Sequence, residues 1–370
     1  MSQSSPNQTV AVELGQRSYD ITIGNGTLES VGQQVRQLGD FSQAVVIADT
    51  NTEAPHAHSV CQSLASEKIN ADLLVVEAGD ATKCVESLAT LWDALFELGA
   101  GRDTLVVAVG GGMVGDLAGF VAATYNRGVP FFQVPTSLLA MVDSSVGGKT
   151  GINLVGGKNL VGAFKQPIGV HIDTEALATL PGREFVSGLG EVVKYGVILD
   201  EALFELLEEN VQPLLDKEPK ILAEVIARCC QLKADVVIAD EQERSGVRAK
   251  LNYGHTFAHP IETLSNYEIR HGEAVGIGMV LAAELAKNLG HIDEAFCQRQ
   301  RKLFRALGIQ TSLELFGKEA FPPSEMLKIM YHDKKVVRGE LRFVLPDRLG
   351  NVELVDGVSD AEVLAVFEKA

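Results

Sequence analysis

TLVVAVGGGMVGDLAGFVAATY, residues 104–125, decides the fold. Its first six residues are apolar at nearly every position, the pattern of a strand buried on both faces rather than one. Gly110, Gly111 and Gly112 follow, and then a helical stretch beginning near Gly115 and Asp116. Glycines between a buried strand and a helix let the backbone approach a diphosphate, and the free amides at the helix start attract its negative charge. The string therefore reads as a dinucleotide-type turn, although it lacks the GxGxxG spacing and three glycines also suffice for a plain tight turn.

The alternation continues on the N-terminal side. QAVVIA (43–48) and DLLVVE (72–77) read as further buried strands, separated by a helix in the fifties and sixties and followed by one through Trp92. Such strands, with helices between them, form a parallel sheet covered on each side. TVAVEL and YDITIG flank the turn-like GQRS and predict a hairpin at the sheet edge. Asp49 ends one parallel strand, where a carboxylate either bonds ribose hydroxyls or closes a turn. Beyond Pro181 the strand signals fade, and helical patterns follow in EFVSGLGEVVKYGVI, from Ile221 to Asp240, in HTFAHPIETL and in HGEAVGIGMVLAAELAKNLG. The Pro-Gly of LATLPGREF marks a boundary. The expected organisation is an α/β domain over 1–180 and a mostly α-helical domain over 181–370.

The chain has 370 residues and a formal net charge of −17, with its acidic residues spread through helix-like stretches. That field disfavours nucleic acid and anionic membranes as partners, and an anionic substrate would need a local basic pocket. No apolar run reaches the roughly 18 residues of a membrane span, and MSQSSPNQTV lacks the basic and apolar regions of a signal peptide. A cytoplasmic protein is expected. The five cysteines are odd in number and show no CxxC spacing, so they read as reduced thiols.

Between Pro135 and Pro167 lies PTSLLAMVDSSVGGKTGINLVGGKNLVGAFKQP, which sets Lys149, Lys158 and Lys165 among glycines and small polar residues. Mobile backbone carrying several ammonium groups suits a phosphorylated or carboxylated substrate; the alternative is a solvated surface loop. The GGKT string is not a P-loop, because that pattern needs Gly at the position held by Asp143.

In the helical half, His255 and His259 stand at i and i+4 on one helix face, and His271 opens the next helix. Two histidines from adjacent helices plus a carboxylate make a three-ligand metal site with a position open to substrate. Histidines satisfied in the core or at the surface are the alternative. HTFAH is not the HExxH protease motif, since Thr256 replaces the general-base Glu. Glu191 is one of several carboxylates that could complete the set, and spacing does not choose among them.

Taken together, GGGMVGDLAGFVAATYNRG, VPTSLLAMVDSSVGGKTGINL, GGKNLVGAFKQP, GEVVKYG, LNYGHTFAH and HGEAVGIGM resemble the 3-dehydroquinate synthase family, in family order over roughly residues 43–345. The resemblance implies a Rossmann-like N-terminal domain, a helical C-terminal domain, a homodimer, bound NAD and a catalytic divalent metal, zinc or cobalt. The implied reaction turns 3-deoxy-D-arabino-heptulosonate 7-phosphate, a phosphorylated sugar acid, into 3-dehydroquinate and phosphate in the shikimate pathway. NAD oxidises the C5 hydroxyl, the acidified C6 proton and phosphate are eliminated, the hydride returns, and an intramolecular aldol closes the ring. Other sugar phosphate cyclases and metal-dependent polyol dehydrogenases are the competing activities. A non-catalytic regulator would show a broken ligand or phosphate contact, and none is seen.

Carried over position by position, the resemblance implies Glu191, His255 and His271 as metal ligands. The NAD contacts fall on Asp49, Asn51, Asp80, Lys83, Gly111, Gly112, Asp116, Thr136, Ser137, Asp143, Lys149, Lys158 and Thr179. Substrate contacts fall on Lys149, Asn159, Lys194, Lys233, Glu243, Arg248, Asn252, His259 and one of Lys334 or Lys335, with Arg127 reaching the phosphate of the neighbouring subunit. Three features depart from the family pattern. Asp80 stands where Glu is frequent beside the adenosine ribose, and the loop before Arg248 is one residue longer. Ala258 and Pro260 interrupt the usual GHTFGHA, and Pro260 is expected within the first helical turn, where a missing N–H is tolerated.

Overall fold

The structure, a computed structural model, describes residues 8–332 and 341–368. Its strands are β1 (Gln8–Val12), β2 (Tyr19–Gly24), β3 (Gln43–Asp49), β4 (Asn70–Val76), β5 (Leu105–Gly110), β6 (Phe131–Pro135), β7 (Lys149–Leu154), β8 (Gly157–Phe164), β9 (Gly169–Asp173), β10 (Phe343–Arg348) and β11 (Asn351–Val355). Its α-helices are α1 (Val31–Leu38), α2 (His58–Ser66), α3 (Val85–Glu97), α4 (Gly112–Thr124), α5 (Gly182–Ile198), α6 (Glu201–Glu209), α7 (Val211–Leu215), α8 (Pro219–Ala239), α9 (His255–Leu264), α10 (His271–Asn288), α11 (Glu294–Ala306), α12 (Pro323–His332) and α13 (Asp360–Phe367). By packing, the chain forms two compact units, Met1–Pro181 with Lys217–Gln242, and Gly182–Asp216 with Glu243–Ala370.

The first unit is built on a seven-stranded sheet in the order β1-β2-β9-β6-β5-β3-β4. Neighbouring strands run parallel, except that β1 is antiparallel to β2 at the edge. The apolar runs are nearly continuous because alternate residues serve two cores. Val45, Ile47, Val106 and Ala108 pack with Leu88, Leu91 and Leu95 of α3 and with Val114 and Leu117 of α4. Ala44, Val46, Ala48, Val107 and Val109 pack with Val31 and Val35 of α1 and with Val60 and Leu64 of α2. Burying each such side chain contributes about 1.5–3 kcal/mol, which fixes the helices on both faces.

Three details differ from the sequence expectation. Helix α4 begins at Gly112, one turn earlier than expected, with Gly111 as an extended N-cap and no side-chain cap. The lysine-bearing stretch is no loop, because residues 149–164 form the antiparallel hairpin β7–β8. Its pattern is faint because Gly151, Gly156, Gly157 and Gly162 dilute the apolar alternation. Helix α8, placed by the sequence in the helical domain, packs in the first unit against β1 and β2. Its Cys230 Sγ bonds Met141 O at 3.3 Å, and Lys233 Nζ lies 2.6 Å from Asp143 Oδ1.

The second unit is organised on α10, which is buried at nearly every residue from Gly272 to Ala286. A helix apolar on all sides must be surrounded, and α5, α9, α11, α13 and β10 enclose it. The β10–β11 hairpin is a strand pair that the sequence reading did not find. Pro260 lies in the second turn of α9, beyond the expected first turn, so the helix forgoes the bond that its N–H would have made.

One buried histidine couples the first unit to pH. His171 on β9 is 1% exposed, with Nδ1 2.7 Å from Gln34 Oε1 and Nε2 3.0 Å from Thr27 Oγ1. Burial pushes its pKa from the ordinary 6.5 down to about 4, against the opposing pull of Asp173. The folded state thus favours neutral imidazole, so the stability it confers is complete above pH 6.5 and is lost as the pH falls towards 4. The full loss is about 3 kcal/mol. Urea titrations at pH 7.5 and 4.5 should show His171→Gln losing less stability on acidification than the parent chain; equal losses would remove His171 as the cause.

Candidate metal and nucleotide sites

Glu191, His255 and His271 come from three helices of the second unit. Glu191 lies within α5, and the two histidines are the first residues of α9 and α10. Close helix approach brings them together. A Cβ on Gly272 would stand 1.9 Å from Ser187 O of α5, and one on Gly278 would stand 2.2 Å from Gly254 O at the start of α9. Only residues without a side chain let the three backbones pass at these distances.

The ligand atoms lie within 4.8 Å of one another, the one such group among the described residues. His255 Nε2 is 3.8 Å and His271 Nε2 3.7 Å from Glu191 Oε1. Ligands bound to one tetrahedral zinc at about 2.0–2.1 Å stand roughly 3.4 Å apart, so the cluster needs only slight contraction. Each histidine is held by its other ring nitrogen, His255 Nδ1 against Tyr253 O at 3.1 Å and His271 Nδ1 against Glu262 Oε1 at 3.2 Å. With Nδ1 protonated to meet those acceptors, both Nε2 lone pairs face Glu191.

The Glu191 carboxylate is fully buried, and neither oxygen has a hydrogen bond. Its near neighbours include the buried ammonium of Lys194, in close ion contact, and the two imidazoles. Lys194 covers one oxygen, Oε2, and the other, Oε1, faces the two imidazole nitrogens, where a buried carboxylate oxygen is costly unless a further cation or donor satisfies it. One carboxylate and two imidazoles suit zinc or cobalt. At His271, burial works to lower the pKa, but Glu262 and Glu191 outweigh it and raise the value. Protons therefore compete with metal there, and binding weakens on acidification.

His259 is outside the ligand set, its ring centroid 6.1 Å from that of His255 in an edge arrangement. Arg248 is 2% exposed, with Nε 3.6 Å from Glu243 Oε1, and Asn252 ends the short helical segment containing Arg248. The Lys334 or Lys335 position lies outside the described residues.

In the first unit, the residues assigned to NAD gather after the carboxyl ends of the parallel strands or on the β7–β8 hairpin, where ligands of open α/β sheets bind. Asp49 ends β3, and its Oδ1 accepts from the amides of Asn51 and Thr52 at 2.9 and 3.0 Å, closing a turn. Gly111 and Gly112 follow β5, Thr136 and Ser137 follow β6, and Thr179 lies beyond β9. The amide end of α4 carries no side-chain cap, a donor set suited to a diphosphate. Lys83 Nζ reaches Asp116 Oδ2 at 2.9 Å and Asn159 Oδ1 at 2.5 Å, while Lys158 Nζ reaches Asp80 Oδ2 at 2.9 Å. Burial raises the Asp116 pKa against the pull of Lys83. At Asp80 burial works upward too, but Lys158, Lys83 and Asn153 together hold the carboxyl below its ordinary range.

Lys149 is exposed at the start of β7, and Arg127 is exposed with a left-handed φ of 67°. Sequence reasoning missed Tyr253 O and Glu262, the acceptors that orient the histidines. Glu262 had a signal, standing seven residues after His255 on the same face of α9.

A chain with one α/β unit carrying an uncapped glycine turn and one helical unit carrying a Glu/His/His cluster shares its fold with solved sugar phosphate cyclases. The solved 2-deoxy-scyllo-inosose synthase complexed with carbaglucose-6-phosphate, NAD+ and Co2+ matches with a TM-score of 0.87 at 27% identity, covering 98% of this chain and 100% of that one. The 2-epi-5-epi-valiolone synthase from Streptomyces hygroscopicus subsp. jinggangensis, with NAD+ and Zn2+ bound, matches with a TM-score of 0.86 at 26% identity, covering 95% and 96%. Models of the 3-dehydroquinate synthase N-terminal and C-terminal regions match residues 73–187 and 188–336. The 3-dehydroquinate synthase of Rhodopirellula baltica is 47% identical over 369 residues, 98% of this chain and 97% of that one. The chain belongs to the 3-dehydroquinate synthase family.

Since Gly272 sets the α5–α10 approach without touching metal, Gly272→Ala tests the packing argument. It should destabilise the fold by at least about 1–3 kcal/mol and weaken zinc binding. A calorimetric melt and a zinc titration equal to those of the parent would show that the helices can separate freely.

Proposed function

We propose that the chain catalyses its family's reaction, converting 3-deoxy-D-arabino-heptulosonate 7-phosphate into 3-dehydroquinate and phosphate, as a carbon–oxygen lyase dependent on NAD and one divalent metal. The observation that carries this reading is the buried Glu191 carboxylate, whose Oε2 contacts Lys194 while Oε1 faces two histidines whose outer nitrogens are already held. The near full-length likeness to named 3-dehydroquinate synthases supports the substrate.

Glu191, His255 and His271 would hold the metal, and the strand-end residues from Asp49 to Thr179 would hold NAD. When bound, NAD supplies reversible hydride transfer and the metal supplies Lewis acidity towards substrate oxygens, a contribution of several kcal/mol. The chain's own residues bind and orient. Lys149 and Lys233 of the first unit and Lys194 and Arg248 of the second would supply the positive charge that a phosphorylated sugar acid needs against a net charge of −17. Asn159 and Asn252 would add amide donors, and Glu243 lies 3.6 Å from Arg248 Nε as its ionic neighbour. With the leaving phosphate itself accepting the C6 proton, positioning does the work of a protein base. His259, its ring centroid 6.1 Å from that of His255, would relay a proton from a substrate hydroxyl. Arg127, exposed on the first unit, would serve the neighbouring copy of a homodimer.

None of the five cysteines is in a disulfide, in keeping with a cytoplasmic enzyme. No described helix is long and apolar enough to cross a membrane.

Two measurements test the reading. Incubation with the heptulosonate phosphate should release inorganic phosphate without accumulating NADH, and chelation should stop the release. Sustained NADH production from glycerol with no phosphate release would instead mark a polyol dehydrogenase. Separately, His271→Ala should lose bound zinc while keeping the far-ultraviolet circular dichroism of the parent. Retention of full activity after chelator treatment would overturn the ligand set.

A further inference from the structure

We infer that Glu262 is a positioning residue of the metal centre, one whose negative charge, and not merely its shape, holds the metal through His271. The inference rests on the metal reading above and goes beyond it to the residue that tunes the site.

The two histidines are oriented by different acceptors. His255 Nδ1 meets a neutral backbone carbonyl, Tyr253 O, at 3.1 Å. His271 Nδ1 meets a carboxylate oxygen, Glu262 Oε1, at 3.2 Å. Glu262 is 5% exposed, so little water screens its charge. The imidazole of His271 thus lies between two carboxylates, Glu262 on its Nδ1 side and Glu191 3.7 Å away on its Nε2 side. A carboxylate accepting from Nδ1–H fixes ring and tautomer and makes the opposite nitrogen more basic.

The surroundings explain why a charge is needed. His255 and His271 open α9 and α10, so the site faces the positive ends of two helices. Lys194 contributes a buried ammonium in contact with Glu191. A dication added there meets one ligand carboxylate that already neutralises a lysine. Glu262 supplies a second buried negative charge in contact with a ligand, while α9 holds it two turns from His255 and so couples both histidines to one helix.

The test is zinc affinity by chelator competition, with cobalt absorption as an independent readout. Glu262→Gln keeps the volume and an oxygen that accepts from Nδ1–H but removes the charge, whereas Glu262→Ala removes both. Both variants should bind zinc about 10–100-fold more weakly than the parent, with Glu262→Ala the weaker, and both should shift the visible bands of bound Co2+. A merely structural role would leave the cobalt spectrum of the folded Gln variant unchanged. Zinc affinities within about threefold of the parent, with an unaltered cobalt spectrum, would overturn the inference. Should neither variant fold, nitrogen NMR of the zinc-loaded parent decides: a protonated, slowly exchanging His271 Nδ1 supports the inference, and Nε2–H or metal on Nδ1 overturns it. Failure of the metal reading is separable, because His271→Ala would then keep its metal; if it loses metal while Glu262→Gln binds normally, only this inference falls.

Discussion

The candidate metal centre depends on how closely α5, α9 and α10 pass. Its three side chains are short of reach: an imidazole on the first residue of a helix extends only a few ångströms, and Glu191 lies on a buried helix face. They converge because Gly272 and Gly278 leave room for the backbones of α5 and of the turn before α9. The glycine-permitted crossing is therefore upstream of the chemistry. Any side chain there would part the helices before it touched a ligand.

The same crossing explains the polar arrangement around the ligands. A site made from helix starts collects positive ends, and Lys194 adds a full charge. Negative groups must gather to compensate, which is the place of Glu191 in contact with both imidazoles and of Glu262 behind one of them. The first unit handles charge differently. Three of its lysines are already paired with acids, Lys83 with Asp116, Lys158 with Asp80 and Lys233 with Asp143. A phosphate-bearing ligand held by these lysines would exchange one set of ion pairs for another.

Much of the fold was legible because the first half of the chain repeats one local pattern. QAVVIA and TLVVAV serve two cores at once, and a short β-branched run apolar on both faces, bounded by turn residues, suits a doubly covered parallel strand. What escaped notice had weak local signals. Glycines blur the β7–β8 hairpin, and α8 has a pattern that suits either unit. Its place beside β1 is decided by Cys230 and Lys233 finding Met141 and Asp143, contacts between residues some ninety positions apart. Pro260 was expected in a first turn, yet α9 carries it in the second, where packing on α10 and α12 outweighs the missing bond.

By itself, the sequence determined the parallel sheet and the glycine turn at the end of β5, since strand periodicity is a local property, and it offered His255, His259 and His271 as candidate ligands without separating them. Family resemblance, not spacing, chose Glu191 and set His259 apart. Tertiary structure decided the rest: that Glu191 is buried without a hydrogen bond, that His271 is held by Glu262, and that α8 belongs with the sheet. Each depends on which helices pass within contact distance, and that is fixed by side chains far apart in the chain meeting in one core.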